Sequence, residues 1–257
     1  MILVLDIGNS QIFGGVFEQD QLRLQFRHAS RAEYTSDELG LFFRQVLREN
    51  EFEPRSVTAI ALCSVVPDMV HSVRNACMKY FGLRPFILEP GVRTGLRILY
   101  RNPVEVGSDR IAGAIATARL FPGKNAIIVD FGTATTIDAL TEDRDYLGGL
   151  IIPGLRLAME SLYSKTARLS KVEIRKPPEL VGRSTVESIQ AGLYYGNLAI
   201  LRHLCAELRG QYFAGRPTVL VGTGGFARLF EDEGVFDAHV PELVLLGLRE
   251  VLRLNQQ

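Results

Sequence analysis

The chain has 257 residues, and its 29 Lys plus Arg are balanced by 29 Asp plus Glu. It therefore lacks the basic field with which a nucleic-acid binder neutralises phosphates, and nucleic acid is not an expected partner. Three cysteines, Cys63, Cys77 and Cys205, form no Cys-x-x-Cys pair and leave an odd one, which argues against a disulfide framework and a structural zinc site and leaves them as small buried apolar residues. The apolar start ends at Asp6 without a basic leader or cleavage site, and no apolar run approaches the ~20 residues needed to cross a bilayer. A soluble, cytoplasmic protein with no membrane partner is expected.

Residues 2–5 read as a buried strand, followed by the turn Gly8-Asn9-Ser10, a second strand Ile12-Phe13-Gly14-Gly15-Val16-Phe17 and a third over 22–28. Thr35-Ser36-Asp37-Glu38 carries capping residues ahead of Leu39, Phe42, Val46 and Leu47, whose spacing describes the apolar stripe of a helix. Residues 59–66 form the next strand, and Pro67 opens a helix to about Phe81. A short strand, Pro85-Phe86-Ile87-Leu88, precedes a Gly-, Pro- and Arg-rich stretch in which only 96–100 is strand-like. Gly107-Ser108-Asp109-Arg110 then leads into an Ala-rich helix over 111–120, whose small residues suit close packing.

The second half restarts with Ala126-Ile127-Ile128-Val129-Asp130, a hairpin partner at 136–140 and a third strand into Gly148-Gly149-Leu150-Ile151-Ile152-Pro153-Gly154. Helices over 155–164 and 186–208, a strand 218–221 ending in Gly222-Thr223-Gly224-Gly225, and a helix over 242–254 complete the chain. The repeated order of strand, acid, glycine turn, hydroxyls and two more strands suggests two halves facing one nucleotide, divided as 1–115 and 116–257.

Asp6 and Asp130 each end a buried strand, where an unpaired carboxylate would be costly. The Gly8-Asn9-Ser10 and Gly132-Thr133-Ala134-Thr135-Thr136 turns behind them supply amides and hydroxyls for a phosphate, while the acids suit a cation. Asp109 reads evenly as a helix cap or as a site residue, since a helix start offers amides and a positive dipole end to an anion. The Gly222–Gly225 turn allows close approach of a flat group such as adenine or ribose. His28, His71, His203 and His239 show no ligand spacing.

Taken in order, Asp6-Ile7-Gly8-Asn9-Ser10, Ser64-Val65-Val66-Pro67, Arg93-Thr94-Gly95-Leu96, Gly107-Ser108-Asp109-Arg110, Asp130 to Thr136, Gly148 to Gly154 and Thr223-Gly224-Gly225 resemble the motif set of the type III pantothenate kinases. The resemblance implies an α/β fold of two related ribonuclease-H-like domains of the actin-like ATPase kind, with ATP in the cleft between them. It implies ATP-dependent phosphorylation of pantothenate to 4'-phosphopantothenate, the first step of coenzyme A synthesis, by a homodimer whose active site is completed across the interface.

Residue by residue, the resemblance assigns ATP to Asp6, Ile7, Gly8, Asn9, Ser10, Gln11, Ile12, Phe13 and Thr133. It assigns Mg2+ to Asp6 through water and a monovalent cation, K+ or NH4+, to Asp130. Pantothenate falls to Tyr100, Gly107, Ser108, Asp109, Arg110 and, from the neighbouring subunit, Thr185, with Asp109 as proton acceptor. Ser10 and Ser108 stand where Thr and Ala are common in that family, and Arg101 where Asp is expected. The competing readings are a phosphohydrolase of the same fold and a catalytically silent nucleotide-binding regulator.

Overall fold

A computed structural model describes residues 1–165 and 169–256. The chain divides into two compact units, one made of Met1–Leu96, Tyr100–Ala116 and Leu243–Gln257, the other of Arg97–Leu99 and Thr117–Glu242.

In the first unit, strands β1 (Ile2–Ile7), β2 (Gln11–Glu18), β3 (Gln21–Ala29), β4 (Ala59–Ser64) and β5 (Phe86–Ile87) form one sheet in the order β3-β2-β1-β4-β5. The first three are antiparallel neighbours, and β4 and β5 continue parallel to β1. Helices α1 (Ser36–Glu49) and α2 (Pro67–Phe81) cover one face. Leu3, Leu5 and Ile7 from β1 are buried there with Leu39, Phe43 and Leu47 of α1 and Met69, Val73 and Ala76 of α2. The start of α1 is the capping box expected from its sequence: the Glu38 amide donates to Thr35 Oγ1 at 3.2 Å, and the Thr35 amide donates to Glu38 Oε2 at 2.8 Å.

The opposite face carries Val4, Asp6, Gly15 and Cys63, because residues paired across adjacent strands point the same way. Two further helices, α3 (Ser108–Leu120) and α6 (Leu243–Asn255), serve this side; α6 lies against β1, β2 and β4. The expected small-residue surface of α3 is used for a close helix crossing. A Cβ at Gly247 of α6 would fall within covalent-clash range of the Ala112 carbonyl and 2.9 Å from Ala112 Cα. Gly247→Ala is expected to cost about 1–3 kcal/mol, the range for forcing an extra methyl into a packed core, read as a lower midpoint in urea with an unchanged slope.

In the second unit, strands β6 (Arg97–Ile98), β7 (Asn125–Phe131), β8 (Ala134–Leu140), β9 (Asp145–Pro153), β10 (Thr218–Gly224) and β11 (Ala238–His239) form a sheet in the order β11-β10-β7-β8-β9-β6. Without β6, this is the first sheet's order and strand sense repeated: an antiparallel meander, then two parallel strands. Helices α4 (Leu155–Lys165) and α5 (Thr185–Tyr212) pack on one face. There Ile127, Val129, Phe131 and Ile137 are buried with Met159 of α4 and Leu193 of α5. The three residues 97–99 join this unit because Arg97 forks onto the Asp145 carboxylate and the Leu99 amide donates to the Tyr146 carbonyl at 2.9 Å.

Two readings of the chain differ from this structure. The closing helix, expected with the second half, belongs to the first unit, because its apolar face covers β1 and β4. The Ala-rich helix begins at Ser108, not at Ile111, so Asp109 and Arg110 lie in its first turn.

Candidate active site

The site residues of the first unit gather where β1 and β4 end side by side. Register pairs Asp6 with Cys63 and Ile7 with Ser64. Cys63 is fully buried and its thiol donates to Asp6 Oδ1 at 3.3 Å. Burial pushes this thiol well above its ordinary range, and the nearby charges of Asp6 and then Asp109 push it further, so it stays a donor. Cys63 thus ties the Asp6 carboxylate to the end of β4, next to Ser64.

The first turn of α3 is tied to the end of β4. Ser108 Oγ donates to the Ser64 carbonyl at 3.1 Å, and the Val65 amide donates to the Ile7 carbonyl at 3.1 Å. Asp109 Oδ1 accepts from the Arg110 amide at 2.8 Å and occupies the space beside Gly107, where a Cβ would sit 2.5 Å from it. Gly107, Ser108, Asp109 and Arg110 are all half-buried, as is Tyr100 in the loop after β6. The phosphate-type turn closes on itself through a bond from the Gly8 amide to the Gln11 carbonyl at 3.0 Å, leaving Asn9, Ser10 and Gln11 exposed. Ile12 and Phe13, by contrast, are buried and anchor the turn to the sheet.

In the second unit, Asp130 is half-buried near the end of β7, with Thr223 of β10 as its register partner. Gly224 (φ 84°) lies against the Asp130 carboxylate and would bring a Cβ 2.6 Å from the Phe131 amide nitrogen. A Cβ at Gly222 would meet the Phe236 ring at 2.8 Å. These two glycines make room for the protein's own Phe236 and Asp130, not for a flat ligand group; Gly225, with nothing near its added Cβ, keeps the space that was expected of the turn. Thr133 is exposed on the loop between β7 and β8. Thr185 is exposed at the start of α5, which Ser184 caps by accepting from the Glu187 amide at 3.2 Å, and it lines a cavity of about 900 Å³ with Ser188, Gly192 and Gly196.

Among the described residues, no three His, Cys, Asp or Glu side chains converge as a metal cage. Magnesium keeps several waters and is held by one or two carboxylates plus substrate phosphates. Asp6, steadied by Cys63, fits that role. Asp130 is seated against Gly224, whose missing Cβ leaves its carboxylate room. Sequence reasoning did not find the Cys63 contact, because a cysteine in an apolar strand reads as core; its signal was the parallel alignment of the ends of β1 and β4.

A strand-end carboxylate beside a glycine turn, present in both repeats of one sheet order, defines a protein of the acetate and sugar kinase, heat-shock chaperone and actin fold. Solved structures share the architecture: a candidate 2-dehydro-3-deoxygalactonokinase from Sinorhizobium meliloti has a TM-score of 0.57 at 14% identity, covering 99% of this chain and 96% of that one. The activator of 2-hydroxyisocaproyl-CoA dehydratase from Clostridium difficile, solved with bound ADPNP, has a TM-score of 0.53 at 11% identity, covering 99% and 97%. Residues 2–207 match the type III pantothenate kinase family. The type III pantothenate kinase of Legionella pneumophila (strain Corby) is 52% identical over 99% of both chains, and that of Elusimicrobium minutum (strain Pei191) is 46% identical over 100% of this chain and 99% of its own. The chain belongs to the type III pantothenate kinase family.

Proposed function

We propose that this protein transfers the terminal phosphoryl group of ATP to the primary hydroxyl of pantothenate, giving 4'-phosphopantothenate for coenzyme A synthesis. Family membership supports the reaction, and the observation that carries the roles is the bond from Ser108 Oγ to the Ser64 carbonyl, which ties the first turn of α3, with Asp109, to the strand ends that carry Asp6 and Cys63. Phosphoryl transfer runs through a loose transition state, so the protein's work is alignment and charge neutralisation.

Asp109 takes the proton of the pantothenate hydroxyl as the new oxygen–phosphorus bond forms. An ordinary carboxylate suffices, because that proton leaves late. Ser108 and the Arg110 amide hold Asp109 in place, and Gly107, Arg110 and Tyr100 contact pantothenate. Asp6 to Phe13, with Thr133, bind the nucleotide. Magnesium, held by Asp6 through water, supplies positive charge to the phosphate oxygens when bound. Asp130 holds potassium or ammonium. A homodimer in which Thr185 reaches the neighbouring subunit's pantothenate is supported by the exposure of Thr185 on a cavity lined also by Ser188, Gly192 and Gly196 of α5.

No helix among the described residues is long and apolar enough to cross a membrane, and three free, buried cysteines suit a reducing cytoplasm. A coupled ADP-release assay tests the reaction. ADP release is expected only with pantothenate and magnesium present and is expected to rise with potassium. Equal release without pantothenate would favour the phosphohydrolase reading, and no release with it would favour the silent regulator.

A further inference from the structure

Neither phosphate loop, 6–13 nor 130–136, contains a lysine, yet a triphosphate needs cationic partners beyond a metal ion. The register of the first sheet supplies one. Cys63, Asp6, Phe13 and Arg27 pair in succession across β4, β1, β2 and β3 and so form a row on a single face. The Arg27 guanidinium lies 3.9 Å from the centre of the Phe13 ring and reaches Gln11 Oε1 of the loop at 3.5 Å. The other basic residue on the β1–β3 meander is Arg23, which lies toward the far end of β3 beside Glu18, at 3.6 Å. Two strand spacings, about 10 Å, separate the Arg27 and Asp6 backbones. That span is on the scale of a phosphate chain, with Asp6 at one end and the Arg27 guanidinium over Phe13 at the other.

We infer that Arg27 is a phosphate-binding residue of the kinase, closing on the β- and γ-phosphates of ATP from β3 as the counterpart of Asp6 across the loop. The inference rests on the reading of residues 6–13 as the nucleotide loop. Arg27 is exposed and the Phe13 ring beneath it is buried, so the guanidinium lies on the surface of the sheet and not within its core. An arginine there offers two parallel N–H groups to phosphate oxygens, a geometry that lysine and glutamine lack.

Calorimetric titration of the full chain with ATP, ADP and AMP in the presence of magnesium, together with steady-state rates, tests this. Arg27→Gln is expected to weaken ATP about 10- to 100-fold, ADP less and AMP hardly at all, with kcat/KM for ATP falling in parallel and KM for pantothenate and the melting temperature unchanged. Arg27→Lys is expected to recover part of the loss, whereas Arg27→Met, which keeps the stem over Phe13, recovers none. Equal losses for AMP and ATP, recovery by Met, or no loss at all would overturn the proposal while leaving the kinase reading intact. Wild-type protein that binds none of the three nucleotides overturns the loop reading, and this proposal with it.

Discussion

Asp109→Asn is expected to lower kcat by about 10²–10⁴-fold, the usual worth of a positioned general base, while ATP affinity and the melting temperature stay close to wild type. The substitution separates the two roles of this side chain. Asp109 Oδ1 accepts from the Arg110 amide at 2.8 Å, and an asparagine oxygen can do the same, so the first turn of α3 keeps this bond. What asparagine lacks is the capacity to take a proton from the attacking hydroxyl. Steady-state rates with a parallel ATP titration make the measurement. A variant that turns over at near-normal rate would reduce Asp109 to a structural residue of the first turn of α3.

Gly224→Ala should damage the second unit in two ways at once. The backbone at φ 84° is strained for any residue with a Cβ, at about 1–3 kcal/mol, and the added methyl would press on the Asp130 carboxylate and the Phe131 backbone. Overpacking of this kind costs about 1–3 kcal/mol more. The functional signature is separate from the stability loss: activation by potassium should fall away as the Asp130 carboxylate is displaced, while the residual rate without potassium persists. Activity measured against potassium concentration, below the variant's melting temperature, checks this. An unchanged potassium response would remove Asp130 from the cation site.

Much of the site was legible because strand ends announce themselves. An apolar run, an acid, a glycine and hydroxyls appear at Asp6 and again at Asp130, and the structure places both in corresponding strands, β1 and β7, of the two sheets. Local signals also gave the Thr35 capping box and the Pro67 helix start. What could not be read locally was partnership. An amphipathic helix at 243–255 shows that it has an apolar face but not which sheet that face covers. Cys63 looked like core until the parallel register set it beside Asp6, and only the register puts Arg27 in the row with Phe13 and Asp6. Likewise Gly222 and Gly224 announce that something comes close, but glycine carries no record of whether the neighbour is a ligand or the Phe236 ring.

The return of α6 to the first unit also has a temporal side. Every residue of the second unit has been made once synthesis passes Glu242, whereas the first unit lacks its last helix until residues 243–255 are added. The face of the first sheet that bears Asp6 and Cys63 is packed by that helix, so it stays only partly covered while the second unit is being made. The unit that begins first is therefore finished after the second, and its acid-bearing face is completed only when residues 243–255 have left the ribosome.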